Sequence, residues 1–218
     1  MVSPVSEECG LPFLPFIGKK QRRRLTEDKK KVKLEGLTLF NLFMNGLHLF
    51  IDNSNLFIEA QRVARSKFYY DDQLVIRLRI SYGDLLEEIR GQRSLKETVL
   101  VGSEPPKNDS LWNKLKSLNI KPRIFRRDFS GREKGVDAEL TNAIRDTLED
   151  NANPGTIAIV AGDRDYLPTL ERCVKKQWDV EIYFWEQASN FLKDLNGARF
   201  ISLDNCFENI TFLAKTRS

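Results

Sequence analysis

Residues 48–55 have the sequence His48-Leu-Phe-Ile-Asp52-Asn-Ser-Asn55, a short apolar run that stops abruptly at a carboxylate. A second run, Ile157-Ala-Ile-Val-Ala-Gly-Asp163-Arg-Asp165, has the same form. An unbroken apolar run is typical of a strand that is buried on both faces of a parallel sheet. Because open α/β sheets bind ligands at the carboxyl ends of their strands, acidic groups at these positions predict a binding crevice.

Outward from these runs, the apolar pattern alternates between strand and helix. It predicts strands at 47–52, 97–102, 121–125, 156–161, 179–185 and 199–203, and helices near 54–65, 82–90, 109–118, 135–149, 166–176 and 189–195. Residues 66–81 have the character of a loop or excursion. Strands and helices at this spacing imply right-handed crossovers and a mostly parallel sheet covered on both sides. We therefore expect a three-layer, Rossmann-like α/β domain at residues 47–205, followed by a C-terminal tail at 206–218.

Charge is unevenly distributed along the chain. Residues 1–46 contain nine Lys or Arg and five Asp or Glu, a net of +4 that equals the net charge of the whole chain. Residues 1–36 are predicted to be a flexible basic arm, with 37–46 as a connecting segment that is either a short helix or a strand. Basic runs of this kind are typical of nuclear-import signals or nucleic-acid contacts, although a solvated tail is an equal alternative. No apolar run approaches the ~20 residues of a membrane span, so we expect an intracellular protein, cytoplasmic or nuclear.

Cysteine and histidine are scarce. The three cysteines are widely spaced, form no disulfide framework and match no zinc motif, which suits a reducing compartment. The one histidine, His48, lies inside the first apolar run. This composition disfavours a catalytic triad and a histidine-rich zinc centre. No glycine-rich dinucleotide or Walker loop follows a predicted strand, so nucleotide cofactors of those classes are also disfavoured.

Four aspartates are the candidate site. Asp52 and Asp163 follow strands that are commonly neighbours in a doubly wound sheet, Asp137 begins the helix between them in sequence, and Asp165 follows two residues after Asp163. Crowded carboxylates repel one another unless a cation neutralises them. Oxygen ligands without Cys or His favour Mg²⁺ or Mn²⁺ over zinc. Structural alternatives exist: Asp165 could cap the next helix, the helix dipole favours Asp137, and Asn55 is an ordinary helix-start residue.

Beside the acidic residues lies the basic loop 121–134. Metal-assisted hydrolysis of a phosphodiester suits several carboxylates that hold one or two divalent ions. A nucleic-acid substrate also requires cationic contacts. The loop supplies aromatic residues for stacking and leads directly into Asp137. The candidate RNA contacts are Arg126, Arg127, Arg132 and Lys134 of this loop, together with Asn55. An ordinary charged surface loop is the alternative.

At these residues the chain resembles the NYN domain family, a group of PIN-like nucleases that includes the Limkain and LabA groups. The resemblance covers residues 47–205. It depends on Asp52-x-x-Asn55, Lys134-Gly-Val-Asp137, Gly162-Asp163-x-Asp165-Tyr-x-Pro168 and the closing Phe200-Ile-Ser-Leu-Asp204. It implies a PIN-like fold, Mg²⁺ or Mn²⁺ at Asp52, Asp137, Asp163 and Asp165, and endoribonuclease activity or RNA binding.

The chain departs from the family pattern at three places. Many members have Asp where this chain has Ala143 and Ala198, and Gly where it has Gln177-Trp178. Two hypotheses follow: a metal-dependent ribonuclease, or a catalytically weak or inactive RNA-binding or scaffold module on the same fold. The two missing acids favour the second. An Asp-x-Asp phosphatase is disfavoured because no such motif closes the first strand.

Overall fold

The computed structural model describes residues 46–103, 110–125 and 135–215. Its strands are β1 (Leu47–Asp52), β2 (Leu78–Ile80), β3 (Leu95–Ser103), β4 (Lys121–Phe125), β5 (Thr156–Val160), β6 (Asp179–Phe184), β7 (Ala198–Ser202) and β8 (Thr211–Leu213). Its helices are α1 (Asn53–Lys67), α2 (Asp72–Val75), α3 (Tyr82–Arg90), α4 (Ser110–Ser117), α5 (Val136–Asp150), α6 (Leu167–Lys175), α7 (Asn190–Lys193) and α8 (Phe207–Ile210). Two 3-10 turns, Arg164–Tyr166 and Leu203–Cys206, precede α6 and α8. The predicted arm at 1–36 and residues 37–45 of the connecting segment lie outside the described residues.

Six of these strands form a parallel central sheet in the order β4-β3-β1-β5-β6-β7. β1 lies between β3 and β5, with Ile51 beside Leu100 on one side and Val160 on the other. The strand order changes direction at this pair, which makes the carboxyl end of β1 a topological switch point. The predicted neighbour relation between the strands at 47–52 and 156–161 is confirmed.

Each face of the sheet carries its own apolar cluster. Successive side chains of a strand point to opposite faces, so Leu49 and Ile51 pack in the cluster that includes α1 and α3, whereas Phe50 packs in the cluster that includes α5 and α6. All six residues of β1 are buried. The structure therefore confirms the predicted three-layer α/β architecture.

Helix α5 brings one candidate residue to the switch point. Its apolar stripe is buried as the i, i+4 spacing predicted, with Leu140 and Ile144 fully inaccessible. The helix begins after Gly135, whose φ of 91° lies in the left-handed region that favours glycine. Asp137 consequently lies in the first turn of α5, where the helix dipole favours a negative charge.

The excursion at 66–81 contains more structure than its sequence indicated. It includes α2 and β2, and β2 pairs antiparallel with β8 from the C-terminal segment, Leu78 opposite Leu213. The Phe207 ring stacks on Phe68 with centroids 4.1 Å apart, which joins the two segments through side chains as well. Among the described residues, no helix has the length and apolar character needed to cross a membrane.

Candidate acidic site at the carboxyl edge of the sheet

Asp52 is the last residue of β1 and is almost completely buried, with 3% of its surface exposed. Its extended backbone makes it the N-cap of α1, and its Oδ1 accepts a hydrogen bond of 3.0 Å from the Asn55 N–H. The cap fixes this carboxylate oxygen against the start of the helix. The second oxygen, Oδ2, points toward the next element of the site.

Tyr166 joins two of the predicted aspartates. Its side chain is fully buried, and its hydroxyl lies 2.8 Å from Asp52 Oδ2 and 3.1 Å from Asp137 Oδ1. A phenol has one proton to donate, so the two carboxylates share a single donor. Two carboxylates that both contact one hydroxyl are close enough to repel each other, and a positive charge between them would stabilise the pair.

The ionisation of Tyr166 follows from the same surroundings. Burial, and then the charges of Asp52 and Asp137, raise the pKa of the Tyr166 hydroxyl far above its usual range. The phenol therefore stays protonated at neutral pH and remains a donor that Asp52 and Asp137 share. The sequence analysis did not identify this residue, although it is the Tyr of the Gly162-Asp163-x-Asp165-Tyr-x-Pro168 segment. Its position directly after two candidate aspartates is the signal that could have indicated a role.

Asp163 and Asp165 lie at the end of β5 and are both exposed. Asp163 Oδ1 accepts a hydrogen bond of 3.1 Å from the Asp165 N–H and caps the 3-10 turn Arg164–Tyr166. Asp165 does not cap the following helix, because it lies inside the 3-10 turn and the N-cap position of α6 is Tyr166. No group of three or more His, Cys, Asp or Glu that could hold a metal occurs within 46–103, 110–125 and 135–215.

Two asparagines fix the backbone around the acidic residues. Asn55 Oδ1 accepts a hydrogen bond of 2.8 Å from the Gly162 N–H, which ties α1 to the turn after β5. Asn53 Oδ1 accepts a hydrogen bond from the Tyr82 hydroxyl at the start of α3. The side-chain oxygen of Asn55 thus has a structural partner, and the contact of Asn55 with RNA stays a prediction. The other candidate RNA contacts, Arg126, Arg127, Arg132 and Lys134, lie outside the described residues.

The donor set fits a hard divalent ion in part. Mg²⁺ commonly binds through one or two carboxylates and keeps several waters or substrate oxygens as further ligands. Asp52 and Asp137 provide such a pair around the Tyr166 hydroxyl. Participation of Asp163 and Asp165 in metal binding stays a prediction.

Fold and site together define the class of protein: a doubly wound α/β domain with carboxylates at its switch point. The family model described as "NYN domain" matches residues 47–204, and the chain belongs to this family of PIN-like, nuclease-like and RNA-related domains, whose nucleases generally depend on divalent metals. A crystal structure of a protein of unknown function from Vibrio parahaemolyticus has the same fold, with a TM-score of 0.53 and 18% identity over 73% of this chain and 94% of that chain. None of the curated proteins matches this sequence.

Proposed function

We propose that the protein is a metal-dependent ribonuclease that hydrolyses RNA phosphodiester bonds at the carboxyl edge of the sheet. The observation that supports this most is the convergence of Asp52 and Asp137 on one buried hydroxyl. These carboxylates come from different elements and meet at the switch point, where α/β domains bind ligands. Membership of the NYN family supports the same function, since the family is nuclease-like and RNA-related.

A bound Mg²⁺ or Mn²⁺ would supply activation of water and stabilisation of the charge on the reacting phosphate. Asp52 and Asp137 would hold the ion, and Tyr166 would orient both carboxylates through its protonated hydroxyl. Asp163 is proposed as a further ligand, and Asp165 as a ligand or as the group that orients the attacking water. Both lie at the exposed end of β5, where a strand of RNA has access.

Cleavage of a labelled RNA with and without Mn²⁺ tests the proposal. Asp137→Asn keeps the size of the side chain but removes its charge, and we expect a loss greater than the ~100-fold typical of residues that only support metal ligands. Asp146→Asn is the matched control, because Asp146 is an exposed aspartate on the same helix. Asp163→Asn tests the predicted third ligand in the same assay.

Wild-type and Asp146→Asn proteins should cleave at similar rates, and removal of metal by a chelator should stop both. Equal cleavage by Asp137→Asn, by Asp163→Asn and by the wild type would defeat the assignment of these carboxylates. Cleavage that continues in the chelator would defeat the metal dependence.

An RNA-binding or scaffold module without catalysis is the second candidate. One observation favours it: Ala143, where many family members have Asp, is buried in the apolar cluster of α5, so this chain places no carboxylate there. This candidate predicts salt-sensitive RNA binding without turnover in Mn²⁺. It also predicts that binding survives Asp163→Asn, whereas the ribonuclease requires turnover that this substitution reduces.

A further inference from the structure

A cleft of about 500 Å³ opens beside the acidic residues, at the carboxyl ends of β5 and β6. Its lining includes Asn55, Arg62, Asp163, Arg164, Gln187 and Ser189. The volume lies within the ~300–1,000 Å³ typical of clefts that bind small organic groups. Neither Asp52 nor Tyr166 lines this cleft, and it adjoins the acidic site through Asn55 and Asp163.

The floor of the cleft is rigid. Gly162 donates its N–H to Asn55 Oδ1 at 2.8 Å, and its carbonyl accepts from the Ser189 N–H at 3.1 Å. A Cβ at position 162 would overlap with the Phe184 ring, which is itself buried, so the backbone can lie this close only as glycine. Both hydrogen-bonding groups of the floor are therefore satisfied within the protein, and recognition falls to the side chains around it.

Several polar side-chain groups around the floor have no hydrogen-bond or ion-pair partner in the part of the chain that the structure describes. Among the described residues, Asn55 Nδ2, the Gln187 amide and the Ser189 hydroxyl make no hydrogen bond, and Arg164 forms no ion pair. Arg62, in contrast, pairs with Glu59. Within the described residues, the cleft thus offers the Asn55 Nδ2 group, the Gln187 amide, the Ser189 hydroxyl and the Arg164 guanidinium to a ligand.

Arg164 is also held in a defined position. Its guanidinium carbon lies over the Phe191 ring, 4.2 Å from the centroid, and about half of the Phe191 surface is exposed. A guanidinium that rests on an aromatic ring keeps its orientation and presents its other face to solvent. Unpaired bases of RNA stack on planar guanidinium groups and are recognised by amides at their hydrogen-bonding edges.

We propose that this cleft holds one unpaired nucleotide of an RNA strand, next to the bond that lies at the acidic residues. The base stacks on Arg164 and its edge meets the Asn55 and Gln187 amides. This inference rests on the proposed function for its substrate class and adds to it a preference for single-stranded RNA. A base inside a duplex is stacked and paired, so it cannot enter the cleft.

Fluorescence anisotropy with a labelled single strand of about 10 nucleotides tests the inference, a length within the site sizes of single-strand binders. The parent protein carries Asp137→Asn, so that no cleavage interferes, and the salt concentration is fixed because phosphate contacts depend on it. We expect Arg164→Ala to weaken binding roughly tenfold, the effect of losing one stacked base. Gln187→Ala removes a hydrogen-bonding contact with the base edge and should weaken binding about two- to tenfold. Arg172→Ala is the matched control, since Arg172 is an exposed arginine on α6 that pairs with Glu149.

The same binding measurement is made with two further ligands, a duplex of the same length and a nucleoside monophosphate. We expect the cleft variants to leave duplex binding unchanged, and the free nucleotide to bind far more weakly than the strand. The inference is overturned if Arg164→Ala and Gln187→Ala bind the strand as the parent does, or if Arg172→Ala weakens binding equally. It is also overturned if the parent binds no RNA, or if the mononucleotide binds as tightly as the strand.

Failure of the proposed hydrolysis gives a different result. A wild-type protein that does not cleave RNA in Mn²⁺, together with cleft variants that lose binding to the single strand, would remove the ribonuclease assignment. That combination would leave the nucleotide site in place.

Discussion

At the scale of single residues, Tyr166 accounts for how two acidic side chains from distant parts of the chain are kept together. Asp52 ends a strand and Asp137 begins a helix, and neither element alone determines the direction of its carboxylate. The buried hydroxyl lies within hydrogen-bonding distance of both carboxylates, which share its one proton. Because burial raises the pKa of this phenol above its usual range, the donor is present at neutral pH.

Replacement of Tyr166 by Phe tests this role. The ring that fills the core remains, whereas the hydroxyl shared by Asp52 and Asp137 is lost. We expect a loss of ~10–100-fold in metal affinity or in cleavage, as for other groups that orient metal ligands. The free energy of unfolding should fall by about 1–3 kcal/mol, since a buried acceptor loses its donor. Mn²⁺ titrations of RNA cleavage and urea unfolding measure the two effects.

Tyr183→Phe is the control for this substitution. The Tyr183 hydroxyl donates to the buried Glu181 carboxylate at 2.9 Å, so the same atom is removed from a similar partner. Glu181 pairs with Arg93 and takes no part in the acidic site. Tyr183→Phe should lower stability without changing the Mn²⁺ dependence; the same change of Mn²⁺ dependence in both variants would contradict the positioning role of Tyr166.

Gly162 is the second residue with a specific expected effect. A methyl group there would overlap with the Phe184 ring, which is 2% exposed and packed in the core. We expect Gly162→Ala to lower the free energy of unfolding by about 1–3 kcal/mol through overpacking. Gly83→Ala is the control: its nearest neighbour is 4.0 Å away, and alanine should stabilise α3 by ~0.5–1 kcal/mol. Urea denaturation of both variants checks the opposite signs, and a stable Gly162→Ala protein would contradict the close approach.

At the scale of secondary structure elements, β1 contains a titratable group in its buried run. His48 is 8% exposed, and its ring packs edge-on against Trp178 with centroids 5.5 Å apart. Burial lowers the pKa of His48, and the nearby Glu97 carboxylate offsets only part of this effect. Nδ1 has no hydrogen-bond partner within the described part of the chain, so the neutral ring also has an unsatisfied atom.

The lowered pKa predicts how stability depends on pH. Between the folded and unfolded pKa values the unfolded chain binds more protons at His48, so the free energy of unfolding rises with pH up to about 6.5. Below that pH the contribution is progressively lost. His48→Phe keeps a ring against Trp178 but cannot titrate, so it should lose less stability than the wild type when the pH falls from about 7.5 to about 5.5, either side of the unfolded value. Urea unfolding at both pH values measures the difference.

Because His48 is the only histidine of the chain, NMR titration gives its pKa directly. A value at or above 6.5, or equal pH dependence in the two proteins, would contradict the effect of burial.

The secondary structure elements also indicate which parts of the fold can be predicted from sequence. The strands at 47–52 and 121–125 have the predicted bounds, and α5 begins and ends one residue later than predicted. The agreement is close because buried strands and an i, i+4 stripe leave a strong periodic signal. Strands β2 and β8 were not predicted. Each has three residues, too few for a period, and each depends on pairing with a partner more than 100 residues away in sequence.

The candidate site also has features that can be predicted from sequence and features that cannot. The position of Asp52 at the switch point was predictable, because the order of the strands places the carboxyl end of β1 there. The bridging role of Tyr166 was not, since it depends on the 3-10 turn that directs the ring inward. The 3-10 turn depends on the cap formed by Asp163, whose side chain accepts from the Asp165 N–H. A local contact of this kind leaves no periodic pattern in the sequence.

At the scale of the whole described domain, the C-terminal segment closes the side of the fold opposite α5 and α6. Helix α8 and β8 follow the last strand of the central sheet, beyond the residues matched by the family model. Phe207 packs against Phe68, Tyr70 and Trp185, which belong to the excursion and to the end of β6. The C-terminal segment therefore connects the excursion at 66–81 to the residue that follows β6, through side-chain contacts outside the central sheet.

This arrangement predicts that the domain depends on its C-terminal segment for stability. Phe207 is 1% exposed, so Phe207→Ala removes a buried ring and should lower the free energy of unfolding by ~3–5 kcal/mol. Phe212→Ala is the matched control on the neighbouring strand: half of that ring is exposed, and its loss should cost about 0.5 kcal/mol or less. Urea unfolding followed by circular dichroism compares the two variants. If Phe207→Ala were as stable as Phe212→Ala, the segment would not be part of the cooperative unit, and the contacts of α8 would contribute little to holding the excursion on the domain.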